Sequence, residues 1–158
     1  MSVAVATRIA YDTSQRQQDI LALQWPQYDG EGLEITQLKT GKKIWVPLSK
    51  ETRDLIDGLE RTSTYIVVSE ETGRPYDKNT FGRIFRKFRR RAGISNVTFH
   101  DLRRTVATEL GNRGATEAEI VTITGHAFGS KEVDTYVKPD REAALRAFAK
   151  RKSNKKPE

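Results

Sequence analysis

The chain has 158 residues and a net charge of +7, and it contains no cysteine and two histidines, His100 and His126. One domain of this length supports its own core. Without cysteine there are no disulfides, thiolate metal sites or cysteine nucleophiles, which fits a reducing cytoplasm. A zinc site is not expected, because two histidines need carboxylates to complete the ligand set. No apolar run approaches the roughly 18 residues of a membrane span. The nine-residue tail Lys150 to Glu158 holds five Lys/Arg and one Glu, leaving only +3 for the rest. Segregation of charge on one face therefore says more about nucleic acid than the total does.

The opening Met1 to Arg8 is apolar but lacks a basic start and a small-residue cleavage site, so it reads as the beginning of a core helix over residues 3 to 11. Asp12-Thr13-Ser14 then reads as a turn and N-cap. Ile20, Leu21, Leu23 and Trp25 form a dense apolar stretch that Pro26 stops. Leu33 and Ile35 alternate with Glu34 and Thr36, and Ile44, Val46 and Leu48 alternate with Trp45 and Pro47. With Thr40-Gly41-Lys42 between them, the pattern predicts a β-hairpin with Pro47 at an edge or strand end. Tyr65-Ile66-Val67-Val68 is expected as a third strand, after a helix from Lys50 to Leu59.

The clearest amphipathic helix runs from Asn79 to Arg91. Phe81, Ile84, Phe85 and Phe88 fall at i, i+3, i+4 and i+7, and Gly93 is its stop. A further helix is expected over 101 to 112, and Thr116-Glu117-Ala118-Glu119 is a capping box opening another. Glu142 to Ala149 reads as a small Ala-rich helix. The expected fold is α+β and mostly helical, with a small antiparallel three-stranded sheet at one side. Residues 1–149 would form the domain and 150–158 a basic disordered tail.

Arg83, Arg86, Lys87, Arg89, Arg90 and Arg91 put six cations within nine residues, opposite the apolar stripe. Such a ridge suits phosphate contacts, although a charge run also serves as a solvated face. His100 and Arg103 are one turn apart at a helix N-terminus, where free N–H groups and the dipole favour anions. Each feature has a plain structural reading as well. Arg16 could pair with Asp19, and Lys42 or Lys43 could compete with Lys39 for a functional role.

Five blocks in order resemble the tyrosine recombinases of the phage-integrase type. Thr13-Ser14-Gln15-Arg16 with Asp19 to Trp25 is similar to that family's first arginine box. Gln37 to Leu48 is similar to its β-hairpin, with Lys39 at the lysine position. Thr98 to Thr105 resembles its H-x-L-R block, Ile123-Thr124-Gly125-His126 its Gly-His box, and Tyr136 sits where the nucleophile belongs. The resemblance implies Arg16, Lys39, His100, Arg103, His126 and Tyr136 as catalytic residues. They would gather on a basic concave face and form a 3′-phosphotyrosine bond to DNA without a metal or other cofactor. Arg83, Arg86, Lys87, Arg90, Lys42 and Arg104 are the expected DNA contacts. Double-stranded DNA is the expected partner. A tetramer on DNA is expected of full-length relatives, and a monomer or weak dimer of this chain.

The family's box has glycine where this chain has Ser14, so Arg16 is expected to sit slightly differently. The core-binding domain that usually precedes the first arginine is expected to be absent. The alternatives are a non-catalytic DNA-binding remnant of a truncated prophage integrase and a helix-turn-helix regulator built on helices 101–112 and 117–124. The segment from Ala127 to Lys138, with Gly129 and Ser130, is expected to be mobile without DNA.

Overall fold

The structure is a computed structural model that describes residues 1–134 and Leu145. Tyr136, most of the expected helix 142–149 and the tail 150–158 lie outside the described residues.

Helix α1 (Ser2–Thr13) runs through the centre of the molecule. Val5, Ala6, Ile9 and Ala10 repeat at helical spacing and are all buried, and α1 packs against α5, α3 and the hairpin. It extends past the expected turn. Asp12 and Thr13 stay helical, and Thr13 returns its hydroxyl to the Ile9 carbonyl. Ser14 ends the helix in the left-handed conformation, φ 57° and ψ 22°, with its N–H on the Ala10 carbonyl. The expected N-cap at 12–14 is thus a C-cap. Helix α2 (Gln17–Leu21) follows, with Arg16 in extended conformation at its N-cap.

Strands β1 (Gly32–Thr36) and β2 (Lys43–Pro47) pair antiparallel, with Leu33 opposite Val46 and Ile35 opposite Ile44. These four face the core, as the period-two pattern requires. Gly32 is required by contact: a Cβ there would lie 2.5 Å from the Val46 carbonyl and 2.6 Å from the Trp45 ring.

The sheet has two strands, not the expected three. Ile66 and Val67 are buried, but residues 65–68 form only isolated bridges, Tyr65 to Gln24 and Val68 to Pro75. Pro75 has no N–H to extend a ladder, and Ile66 donates to the Leu23 carbonyl in a loop. The apolar run marked burial rather than strand pairing.

Ser49 caps helix α3 (Lys50–Asp57), and both its N–H and its hydroxyl donate to Asp12 Oδ2 at 2.8 Å. Helix α4 (Lys78–Arg91) starts at Asp77, whose carboxylate accepts from Asn79 and Thr80 N–H. Phe81 is fully buried, and Ile84 and Phe85 pack against the core. Phe88, expected in the same stripe, is 48% exposed.

Helix α5 (Phe99–Asn112) begins two residues earlier than expected, behind the Thr98–Asp101 capping box. Phe99 meets Phe81 and Phe85 edge-on, with centroids 5.2 and 5.3 Å apart. Helix α6 (Glu117–Thr124) carries the expected Thr116–Glu119 box and ends at Gly125, φ 70°. A single turn, α7 (Lys131–Asp134), follows. Among the described residues no helix is long and apolar enough to cross a membrane.

Candidate active site

The segments that carry Arg16, Lys39, Arg103 and His126 are bonded to one another through buried polar groups. Arg16 stands at the joint between α1 and α2. The neighbouring Ser14 is fully buried; its hydroxyl donates to the Arg103 carbonyl at 3.3 Å, and Arg103 Nη1 donates back to the Ser14 carbonyl at 2.5 Å. Serine thus adopts the conformation expected of glycine at that point of the box, and its hydroxyl adds a bond glycine lacks. A non-glycine residue in this region bears strain of about 1–2 kcal/mol, which such bonds offset.

Arg103 is 3% exposed, whereas His100, one turn earlier, is exposed. Both lie in the first turns of α5 at the expected spacing, with Arg103 turned into the protein and His100 open to solvent.

Arg16 is half-buried, and no ion pair joins it to Asp19. Asp19, 3% exposed, instead accepts the Leu38 N–H at 2.8 Å through Oδ1. Among the described residues, Arg16 Nη1 is buried without a hydrogen-bond partner. An unmet buried donor of this kind costs roughly 1–3 kcal/mol.

Lys39 is exposed on the turn between β1 and β2. Its backbone is fastened on both sides, by the Leu38 bond to Asp19 and by the Thr40 hydroxyl on Gln37 Oε1 at 3.0 Å. Lys42 on the same turn is exposed, with its carbonyl tied to the Gln37 N–H. His126 is half-buried just after Gly125, which ends α6.

Two fully or nearly fully buried glutamines, Gln15 and Gln37, connect these segments. Gln37 continues the inward alternation of Leu33 and Ile35, and a polar residue at an inward position was the available signal. Nothing in the local sequence marks Gln15 or Thr124 in the same way.

The expected DNA contacts are all exposed. Arg83, Arg86, Lys87, Arg90 and Arg91 line one shallow depression along α4, and Arg104 lies on the outer face of α5. Arg89 is held inward by a hydrogen bond from Nη1 to the Val97 carbonyl. A second groove, lined by Gln17, Lys78, Arg86, Arg89 and Thr98 among others, lies between α2, α4 and the start of α5. It shares Arg86 with the depression along α4. Among the described residues no group of three or more His, Asp or Glu side chains is placed to hold a metal ion.

A model of the phage integrase family matches residues 1–142. The integrase of Escherichia phage HK022 is 30% identical in an alignment 111 residues long that covers 63% of this chain and 31% of that protein. The structure of XerA recombinase aligns with a TM-score of 0.70 at 22% identity, over 95% of this chain and 56% of that one. A lambda integrase tetramer bound to a Holliday junction aligns with a TM-score of 0.68 at 26% identity, over 82% of this chain and 42% of that one. The chain thus spans from about a third to just over half the length of these relatives.

Proposed function

The chain belongs to the phage integrase family, and on that premise we propose that it is the catalytic domain of a site-specific recombinase that cuts and rejoins DNA through a tyrosine. The observation that carries the proposal is the buried cluster that holds the segments of Arg16, Arg103, Lys39 and His126 together, with the Arg16 guanidinium half-buried and short of a partner among the described residues. A DNA phosphate would supply that partner.

The Tyr136 oxygen attacks the phosphorus of a phosphodiester. The bond from phosphorus to the 5′ oxygen breaks, leaving a 3′-phosphotyrosine and a free 5′-hydroxyl. Negative charge grows on the non-bridging oxygens in the transition state, where prearranged cationic donors stabilise it most. Arg16 and Arg103 clamp those oxygens with planar forks that lysine cannot imitate, and His126 donates a further hydrogen bond. His100, at the exposed start of α5, assists removal of the phenol proton; a phenol of pKa about 10 needs such help at neutral pH. Lys39 gives a proton to the departing 5′ oxygen. The phosphodiester energy is kept in the tyrosyl bond, so rejoining needs no metal or nucleotide cofactor.

Arg83, Arg86, Lys87, Arg90, Lys42 and Arg104 contact phosphates along double-stranded DNA. A full-length enzyme would work as a tetramer on DNA, with this chain alone a monomer or weak dimer.

The test is a suicide substrate. Nicked duplexes, including junction sequences from the gene's own neighbourhood, trap the covalent state because the nick releases a short strand. The expected result is a denaturant-resistant protein–DNA adduct that disappears in Tyr136→Phe. DNA binding without an adduct, even after a core-binding domain is added in trans, would sink the catalytic reading in favour of a non-catalytic DNA-binding remnant.

A further inference from the structure

Gln15 and Gln37 are 2% and 0% exposed, and every polar hydrogen of their side chains has an acceptor. Gln15 Nε2 donates to the Thr13 and Ile123 carbonyls, both at 2.8 Å. Gln37 Nε2 donates to Gln15 Oε1 at 2.7 Å and to the Thr124 carbonyl at 3.0 Å. Gln37 Oε1 accepts from the Thr40 hydroxyl. Turning either amide over would set oxygen against oxygen, so the network permits one orientation of each. The Gln37 backbone meanwhile closes the turn, with its N–H on the Lys42 carbonyl at 2.8 Å and its carbonyl accepting from Gly41 at 2.7 Å.

The pair also fits against the end of α6 by shape. A Cβ at Gly125 would collide with Gln37 Nε2, so the amide occupies the space that any side chain at 125 would need. One two-residue link therefore joins three places: the residue before Arg16, the turn two residues before Lys39, and the end of α6 two residues before His126.

We infer that Gln15 and Gln37 are positioning residues that hold the Lys39 turn in register with the Arg16 and His126 segments for the strand-cleavage step. The purpose assigned to the pair rests on the recombinase reading above. Neither residue touches the reacting atoms. A misplacement of about 1 Å costs roughly a hundredfold in rate, and the cost should fall on the leaving group, because Lys39 is the group displaced.

The experiment compares Gln15→Leu, Gln37→Leu and the double variant with the unaltered chain. Each single variant breaks the bond between the two amides, and the double variant also takes the side-chain donors from the Thr13, Ile123 and Thr124 carbonyls. Melting temperatures are therefore measured for all three, and the comparison of oxygen with sulfur DNA, in which a general loss of folded protein cancels, separates positioning from folding. Two readouts are taken. The first is hydrogen exchange of backbone amides 38–42, expected to quicken in all three variants. The second is adduct formation on nicked DNA with either the natural 5′ oxygen or a bridging 5′ sulfur at the cleaved bond. A thiol of pKa about 8.5 leaves as thiolate without needing a proton.

The expected result is about a hundredfold slowing on oxygen DNA and less than about tenfold on sulfur DNA. Unchanged amide exchange, or equal slowing on both substrates, overturns the inference. An unaltered chain that forms no adduct on either DNA counts against the recombinase reading instead, and the exchange data still decide whether the pair holds the turn.

Discussion

Asp101 shows how one side chain sets the start of α5. Its carboxylate accepts from the Thr98 hydroxyl and the Thr98 N–H, both at 2.7 Å. The hydroxyl bond is the main reason its pKa lies below the ordinary carboxylate range; the backbone bond and the nearby charges of Arg104 and His100 act in the same direction. A depressed folded value means stability that is fully present above the unfolded pKa of about 3.9 and is lost as pH falls through the folded one. Asp101→Asn should therefore lower the melting temperature at pH 7. The gap to the parent should close in melts taken progressively below about pH 4. A gap that persists in the most acidic melts would assign the loss to shape rather than charge.

At the scale of elements, α4 separates two tasks by face. Phe81, Ile84 and Phe85 face the core, while Arg83, Arg86, Lys87 and Arg90 are exposed. Changing these four to glutamine should leave the fold intact. On a fixed duplex, the plot of log K against log salt should flatten by up to about 0.9 for each phosphate that the helix no longer neutralises. Fluorescence anisotropy over a salt series measures this, and an unchanged slope would make α4 only a solvated face.

The same helix was legible in the sequence because its apolar period is long and sustained. The hairpin was legible because alternation and Gly41 agree. Residues 65–68 were not: burial on all sides looks alike in a strand and in an extended loop, and only the position of Pro75 opposite Val68 distinguishes them. The motifs named the candidate residues, but they did not show the buried position of Arg103 or the glutamine pair. Both depend on hydrogen bonds between residues 89 and 22 positions apart.

Over the whole molecule, the aromatic junction of Tyr76, Phe81 and Phe99 joins α4 and α5 to the core around α1. Phe81→Ala should cost about 3–5 kcal/mol, a large part of the roughly 5–15 kcal/mol that holds a domain folded. In urea the midpoint should drop while the m-value holds. A lower m-value would instead indicate that α4 detaches separately from the rest.

Helices α1 and α5 are joined at two levels, by the opposed Ser14–Arg103 bonds and, one turn earlier on α1, by the Tyr11 hydroxyl on Glu109. Two attachments at different heights fix rotation as well as distance. Any tilt of α1 is then shared by α5, and the two arginine-bearing segments shift as a single body. Their spacing behaves like a common-mode signal: disturbances elsewhere move both segments alike and cancel in the difference between them.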